Sequence, residues 1–138
     1  MKKALIIMVI TVLLLAIIGG YLILDRMFPI ADPIDLPAKE TITSITLTDN
    51  NGNTLMVETS TIDEILKSIT DVKPTRIMSV NDSPAVKNFY SIEIRTDTRQ
   101  YRYYLYAENL QVYIEDPYTG VYQSEQQFLD YIATYFQS

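Results

Sequence analysis

Histidine, cysteine and tryptophan are absent from this chain of 138 residues. Without His or Cys there is no Ser-His or Cys-His nucleophile pair, no zinc site of nitrogen and sulfur ligands, no disulfide and no thiolate. Glycine is scarce, at 4 residues, and cations are outnumbered, 11 Lys plus Arg against 17 Asp plus Glu, for a net charge of −6. Phosphate neutralisation needs clustered cations, so this balance argues against nucleic acid as a partner. No cofactor or metal motif and no complete set of catalytic residues stands in the sequence, which therefore reads as non-enzymatic. A mass of 15.8 kDa leaves room for one folded domain.

The strongest feature is one long apolar run. Met1-Lys2-Lys3 precedes 21 uncharged residues, Ala4 to Leu24. At ~1.5 Å per residue they make about 32 Å of helix, the thickness of a bilayer core. The predicted membrane partner is thus reached through residues 4–24, with residues 1–24 as cytoplasmic start and anchor. Lys2 and Lys3 place the N-terminus in the cytoplasm and the rest outside, by the positive-inside rule. The alternative is a cleaved signal peptide and a secreted product. Ile17-Ile18-Gly19-Gly20 is a poor cleavage site, however, and the apolar run continues to Leu24. Beyond the span, 9 basic and 17 acidic residues leave a net charge of −8.

Residues 25–38 read as a linker, because Pro29, Pro33 and Pro37 recur every fourth residue and favour an extended chain. At ~3.1 Å per residue such a spacer would reach about 40 Å. Residues 39–138 are expected to fold. Thr41–Thr48 and Asn53–Glu58 alternate around Asp49-Asn50-Asn51-Gly52, a hairpin. The glycine and glutamate positions of a calcium loop are not matched there. Thr61 and Glu64 suggest a capping box, followed by Ile62, Ile65, Leu66 and Ile69 at helical spacing. Ser124 and Gln127 suggest a second capping box, before the stripe Phe128, Tyr131, Ile132 and Tyr135. Thr75–Val80 is expected to be a strand.

Tyr90–Glu115 carries the most pattern. Two-residue turns at Asp97-Thr98 and Glu108-Asn109 would set Ile94 opposite Tyr101, Ile92 opposite Tyr103, Leu105 opposite Val112 and Tyr103 opposite Ile114. One face is then apolar. The other carries Glu93, Arg102 and Glu115 in one row and Ser91, Tyr104 and Tyr113 in the next, with opposite charges paired. The fold class expected is α+β: an antiparallel sheet of about six strands with two helices on one face.

Two loops stand out, Ser79-Val80-Asn81-Asp82-Ser83-Pro84 and Glu115-Asp116-Pro117-Tyr118-Thr119-Gly120-Val121-Tyr122. In the second, Pro117 suits a turn and Gly120 a positive φ. With the strand residues Tyr113-Ile114 leading into it, this pair of motifs resembles a family of small Gram-positive membrane-anchored proteins that carry a domain of unknown function, number 5301. The resemblance runs from about Leu36 to Tyr131. Asp116 stands where the family pattern has an amide and Val121 where it has isoleucine. The resemblance implies a short lysine-led span, a linker and a domain of about 100 residues. It implies no activity.

Ten of the 11 tyrosines lie beyond Phe89. Tyrosine is a good strand former, which accounts for Tyr101 and Tyr103. It is also an interface residue. The candidate interaction surface is Asn81, Asp82, Arg102, Tyr104, Tyr106, Tyr113, Glu115, Tyr118 and Tyr122. The functional expectation is a module that binds an extracytoplasmic protein or a cell-wall component. Two alternatives stand beside it. A glycan hydrolase would use two carboxylates, Asp82 with Glu115 or Glu115 with Asp116. A passive spacer would use none. No oligomeric state is indicated.

Overall fold

Residue 2 begins a single helix, α1 (Lys2–Met27), in the computed structural model of the chain, which describes residues 2–137. It is long and apolar enough to cross a membrane as a single-pass anchor, and a signal sequence would pass the same test. The chain divides into two units, with the second beginning at Ala31. They are described separately.

In the second unit, Asp49 closes the hairpin of β1 (Ile42–Thr48) and β2 (Thr54–Met56). Its Oδ1 accepts the backbone N–H groups of Asn51 (2.9 Å) and Asn53 (2.8 Å), and its Oδ2 accepts the Asn53 amide at 2.8 Å. Desolvation pulls the Asp49 pKa up, but the hydrogen bonds from Asn53 and Asn51 outweigh it and hold the carboxyl below its usual range. This carboxylate is occupied as a turn former.

Next comes α2 (Ile62–Thr70), whose Ile62, Ile65 and Ile69 are buried at the expected spacing. The expected capping box does not form. A short 3₁₀ turn over Thr59–Thr61 precedes the helix, and the Thr61 hydroxyl donates back to the Glu58 carbonyl (2.9 Å). The chain then reaches β3 (Lys73–Pro74), only two residues of ladder where Thr75–Val80 is expected as a strand. Beyond β3 the pairing becomes irregular, because the Thr75 hydroxyl competes for backbone partners. It donates to the Val121 carbonyl (2.6 Å) and accepts the Ile77 N–H (3.0 Å). The remaining elements are β4 (Tyr90–Thr96), β5 (Gln100–Glu108), β6 (Gln111–Asp116), β7 (Gly120–Ser124) and α3 (Gln126–Thr134). Strand β7 lies where only turn chemistry is legible. At α3 the N-cap is Glu125 and no side chain caps, so the Ser124 capping box is also absent.

The fold is α+β, with one antiparallel sheet of seven strands in the order β2-β1-β4-β5-β6-β7-β3. Ile45, Leu47, Ile92, Ile94, Tyr103, Leu105, Val112 and Ile114 share one face and form a continuous core with α2 and α3. Tyr90 stacks on Phe136, ring centroids 5.6 Å apart, which ties the end of the chain to β4.

The turn at Asp97-Thr98 sets Ile94 opposite Tyr101 and Ile92 opposite Tyr103, as the pattern requires. The next turn is one residue later than expected, at Asn109-Leu110, with φ of 50° and 64°. Two successive positive φ values give a turn whose twist matches that of the strands. The displacement slides the pairing by two residues: Leu105 faces Ile114, and Tyr104 faces Glu115. Every side chain keeps its face and changes its neighbour. The Glu93-Arg102-Glu115 row is thereby broken. Glu93 instead accepts Arg102 (2.9 Å) and its own neighbour Arg95 (2.8 Å).

The second face of the sheet is covered as well. Helix α2 carries the chain across the core face to the far edge, and residues 75–89 bring it back across the other face to the centre. Phe89 packs edge-on against Tyr104 at 5.2 Å, and Ser79 and Pro84 are buried.

Part of the proline-spaced segment belongs to this unit. Ala31 is buried and its N–H donates to the Thr75 carbonyl (2.9 Å), while Ile34 and Leu36 pack against the core. The chain there is extended, as its prolines require, yet it is held along its length.

Candidate binding cleft

The polar and aromatic residues that bear on a site fall into three groups, the first two made of tyrosines and carboxylates singled out in the sequence. Tyr104, Tyr106 and Glu115 are buried under the returning loop, so the expected open tyrosine face is closed. Glu115 is 6 % exposed; Ser79 Oγ donates to its Oε1 (2.6 Å) and the Tyr106 hydroxyl to its Oε2 (3.4 Å). Burial first, then the Glu115 charge, pushes the Tyr106 hydroxyl well above the usual tyrosine range. Tyr113 is half-buried, with its ring tilted against Tyr106 at 5.8 Å. Sequence reasoning left these residues open because nothing in Thr75–Phe89 has the period of a covering element.

A second group pins the two motif loops together. Tyr118 has φ 63°, beside Pro117 in a turn closed by the Thr119 N–H on the Asp116 carbonyl (3.0 Å). That conformation favours glycine. It is the position of the turn's positive φ, rather than Gly120. Tyr118 is held from both ends: its N–H donates to Ser79 Oγ (3.3 Å) and its hydroxyl to Asp82 Oδ1 (2.6 Å). The Asp82 hydrogen bond raises the Tyr118 pKa. Asn81 is exposed beside this pair. Gly120 serves a different purpose. A Cβ there would lie 2.5 Å from the Ala31 Cβ, so glycine lets the incoming segment lie against β7.

The third group surrounds a cleft of about 410 Å³ at the end of the sheet that carries the Asp97-Thr98 and Pro117–Thr119 turns. Its charged lining is Asp32, Asp35, Asp116, Arg99 and Arg102, with the rings of Tyr101 and Tyr103 between them. Two buried tyrosines hold one wall in place. The Tyr122 hydroxyl donates to the Asp32 carbonyl, and the Tyr103 hydroxyl to the Asp35 carbonyl at 3.3 Å. The backbone of 32–35 is thereby clamped. Burial pushes the Tyr122 hydroxyl up to about 12, with the charges of Asp116 and Asp32 adding to it. Tyr122 is therefore a support inside the fold and not a surface residue. Arg99 lies over the Tyr101 ring at 4.6 Å. Burial raises the pKa of half-buried Asp116 and Asp35 adds to the shift, while the Thr119 hydrogen bond and Arg99 oppose it.

Of the residues expected at a surface site, only Arg102 lines this cleft. Asp32, Asp35, Arg99 and Tyr101 were not singled out in the sequence. A signal for the first two was present: Asp32 and Asp35 flank Pro33 in a proline-extended stretch, where short polar side chains have no core to enter. A larger groove, about 520 Å³, lies at the opposite end. Its polar wall includes Asp49, whose carboxylate is already taken by the turn, so the charged cleft is the better candidate. Among the described residues no group of three or more carboxylates, His or Cys could hold a metal ion.

Residues 30–123 match the family model DUF5301, described as "Domain of unknown function (DUF5300)". A solved NMR structure of a protein from Ruminococcus gnavus is similar, with 31 % identity and a TM-score of 0.61 over 70 % of this chain and 96 % of that one. No functionally curated protein matches significantly. The family match contains every residue of the cleft and of the Ser79–Glu115 and Asp82–Tyr118 pairs.

Proposed function

We propose that this chain, which belongs to the DUF5301 family, is a membrane-anchored, non-enzymatic binding module. Its N-terminus is cytoplasmic and its domain extracytoplasmic, following Lys2 and Lys3 at the head of the span. The observation that carries the reading is the cleft of Asp32, Asp35 and Asp116 facing Arg99 and Arg102. Both signs of charge line one concave surface, with aromatic rings between them. Such a surface suits a ligand bearing amine and carboxylate together, as a protein segment or a wall peptide does.

The hydrolase alternative is less well supported. Glu115, its common member, is buried with both oxygens engaged, and the neighbours Glu115 and Asp116 point to opposite faces of β6.

The test is in-cell photo-crosslinking of the full chain from Gln100 and Thr119, with exposed Lys67 as control, beside titration of the full chain in nanodiscs with soluble wall peptides. Capture or binding is expected from the cleft positions alone, and loss of it in Arg99→Gln. Indifference of every bound species to Arg99→Gln would reject the cleft as the binding site.

A further inference from the structure

The domain starts close to where the apolar helix stops. Helix α1 ends at Met27, and Ala31 is already fixed by its N–H to the Thr75 carbonyl (2.9 Å). At no more than ~3.6 Å per residue, four steps of chain allow about 14 Å between these two Cα atoms. A span occupying Ala4–Leu24 brings Met27 to the headgroup zone, which extends about 5–7 Å beyond the hydrocarbon on each side. Chain length alone therefore keeps Ala31 within about 14 Å of Met27, whereas a free 14-residue spacer would allow the fold to begin about 40 Å away.

The segment fixed to Ala31 also presents apolar side chains to solvent. Ile77 is 52 % exposed, Met78 49 % and Val80 70 %. They follow directly on Thr75, and the Ile77 carbonyl accepts the Val121 N–H at 3.0 Å, so they sit at the end of the sheet where the chain enters. Ser79 between them is buried on Glu115, which turns its neighbours outward. Tyr118 lies alongside, 64 % exposed, with its hydroxyl on Asp82. Single exposed apolar residues are ordinary, but three within four positions, beside an exposed tyrosine and at the anchor point, form a patch of the kind that meets another apolar medium. Tyrosine is favoured at membrane interfaces for its apolar ring and polar tip.

We propose that Ile77, Met78 and Val80 insert into the interface of the same bilayer that holds α1, so that the domain rests on the membrane by this edge. The lipid that fits is zwitterionic, since a net charge of −8 beyond the span opposes an anionic surface. The proposal rests on an uncleaved anchor. Reconstitution of the full chain keeps the helix whatever a cell does with it, so a negative result counts against the contact and not against the anchor.

The absence of cysteine makes the test direct. Met78→Cys, Val80→Cys and Leu110→Cys chains each carry one environment-sensitive fluorophore and are reconstituted in phosphatidylcholine vesicles with and without lipids brominated on the acyl chain. Leu110, fully exposed at the opposite end of the sheet, is the control. Labels at 78 and 80 are expected to shift to the blue and to lose emission to brominated lipid, and the label at 110 to do neither. Because both positions are on the surface, the labels leave the core intact, and matching thermal unfolding of the three chains checks this. Labels at 78 and 80 that behave like the one at 110 overturn the proposal, whether the patch then faces water or a protein.

Discussion

The two faces of the sheet are covered by different means. On one, α2 and α3 lay Ile62, Ile65, Ile69, Phe128 and Ile132 onto a floor of isoleucine, leucine and valine. On the other, residues 75–89 cross without a helix, and beside Phe89 on Tyr104 and buried Pro84 their hold is polar: Ser79 on Glu115, which Tyr106 also reaches, and Tyr118 on Ser79 and Asp82. The first face is stabilised by apolar area removed from water, which is non-directional and tolerant. The second depends on a few groups whose loss strands a buried carboxylate. Two kinds of covering therefore fail in different ways.

The largest effect should come from the core face. Ile94→Ala removes a fully buried side chain and is expected to cost about 2–5 kcal/mol. Ser79→Ala deletes far less volume but takes the short hydrogen bond from Glu115, and about 1–3 kcal/mol is expected. Urea unfolding measures both. The contrast sharpens if Glu115→Gln, which keeps the shape but removes the charge, recovers part of what Ser79→Ala loses when the two are combined. Additive losses would mean that the second face is held by packing after all.

A second test bears on how the incoming segment is held. Gly120→Ala places a Cβ against that of Ala31, at 2.5 Å, where neither atom can swing away. Overpacking of this kind costs about 1–3 kcal/mol. The segment should be displaced, with the Tyr103 and Tyr122 hydroxyls losing the Asp35 and Asp32 carbonyls. Amide hydrogen exchange at Ala31 is expected to accelerate, while the amides of β4 and β5 stay protected. Unchanged protection at Ala31 would show that the segment does not depend on the close approach.

The contrast between the faces also explains how much of the fold was legible. Periodicity found α2, α3, the first hairpin, the meander of β4, β5 and β6 and the apolar face, because isoleucine at spacing three or two records burial directly. It found the face of every meander residue even where the turn was displaced, since a slide of two residues preserves the face. It missed the covering of the second face, and with it the burial of Tyr104, Tyr106 and Glu115. A loop held by single hydrogen bonds writes no period into the sequence. For the cleft, only Arg102 of the expected interaction surface was found, with Asp116 named solely as a carboxylate of the hydrolase alternative. The wall of Asp32 and Asp35 comes from an incoming segment that proline spacing marks as extended but cannot mark as docked, and that segment lies against β7 because Gly120 leaves it space.

The smallest effect isolates backbone conformation at the two ends of the sheet. Leu110 and Tyr118 share almost the same φ, 64° and 63°, a region that non-glycine residues occupy at a cost. Leu110 is fully exposed and its side chain holds nothing. Leu110→Gly is therefore expected to stabilise by up to about 1 kcal/mol, the relief of strain exceeding the entropy that glycine adds to the unfolded chain. At Tyr118 the same strain is relieved by Tyr118→Gly, but the hydroxyl on Asp82 is lost with the ring, and no gain is expected. Thermal unfolding of the two variants beside the parent chain separates these outcomes. Equal gains would mean that the Tyr118–Asp82 link contributes nothing to the loop, and that the strain at Tyr118 is kept for what its exposed ring meets outside the domain.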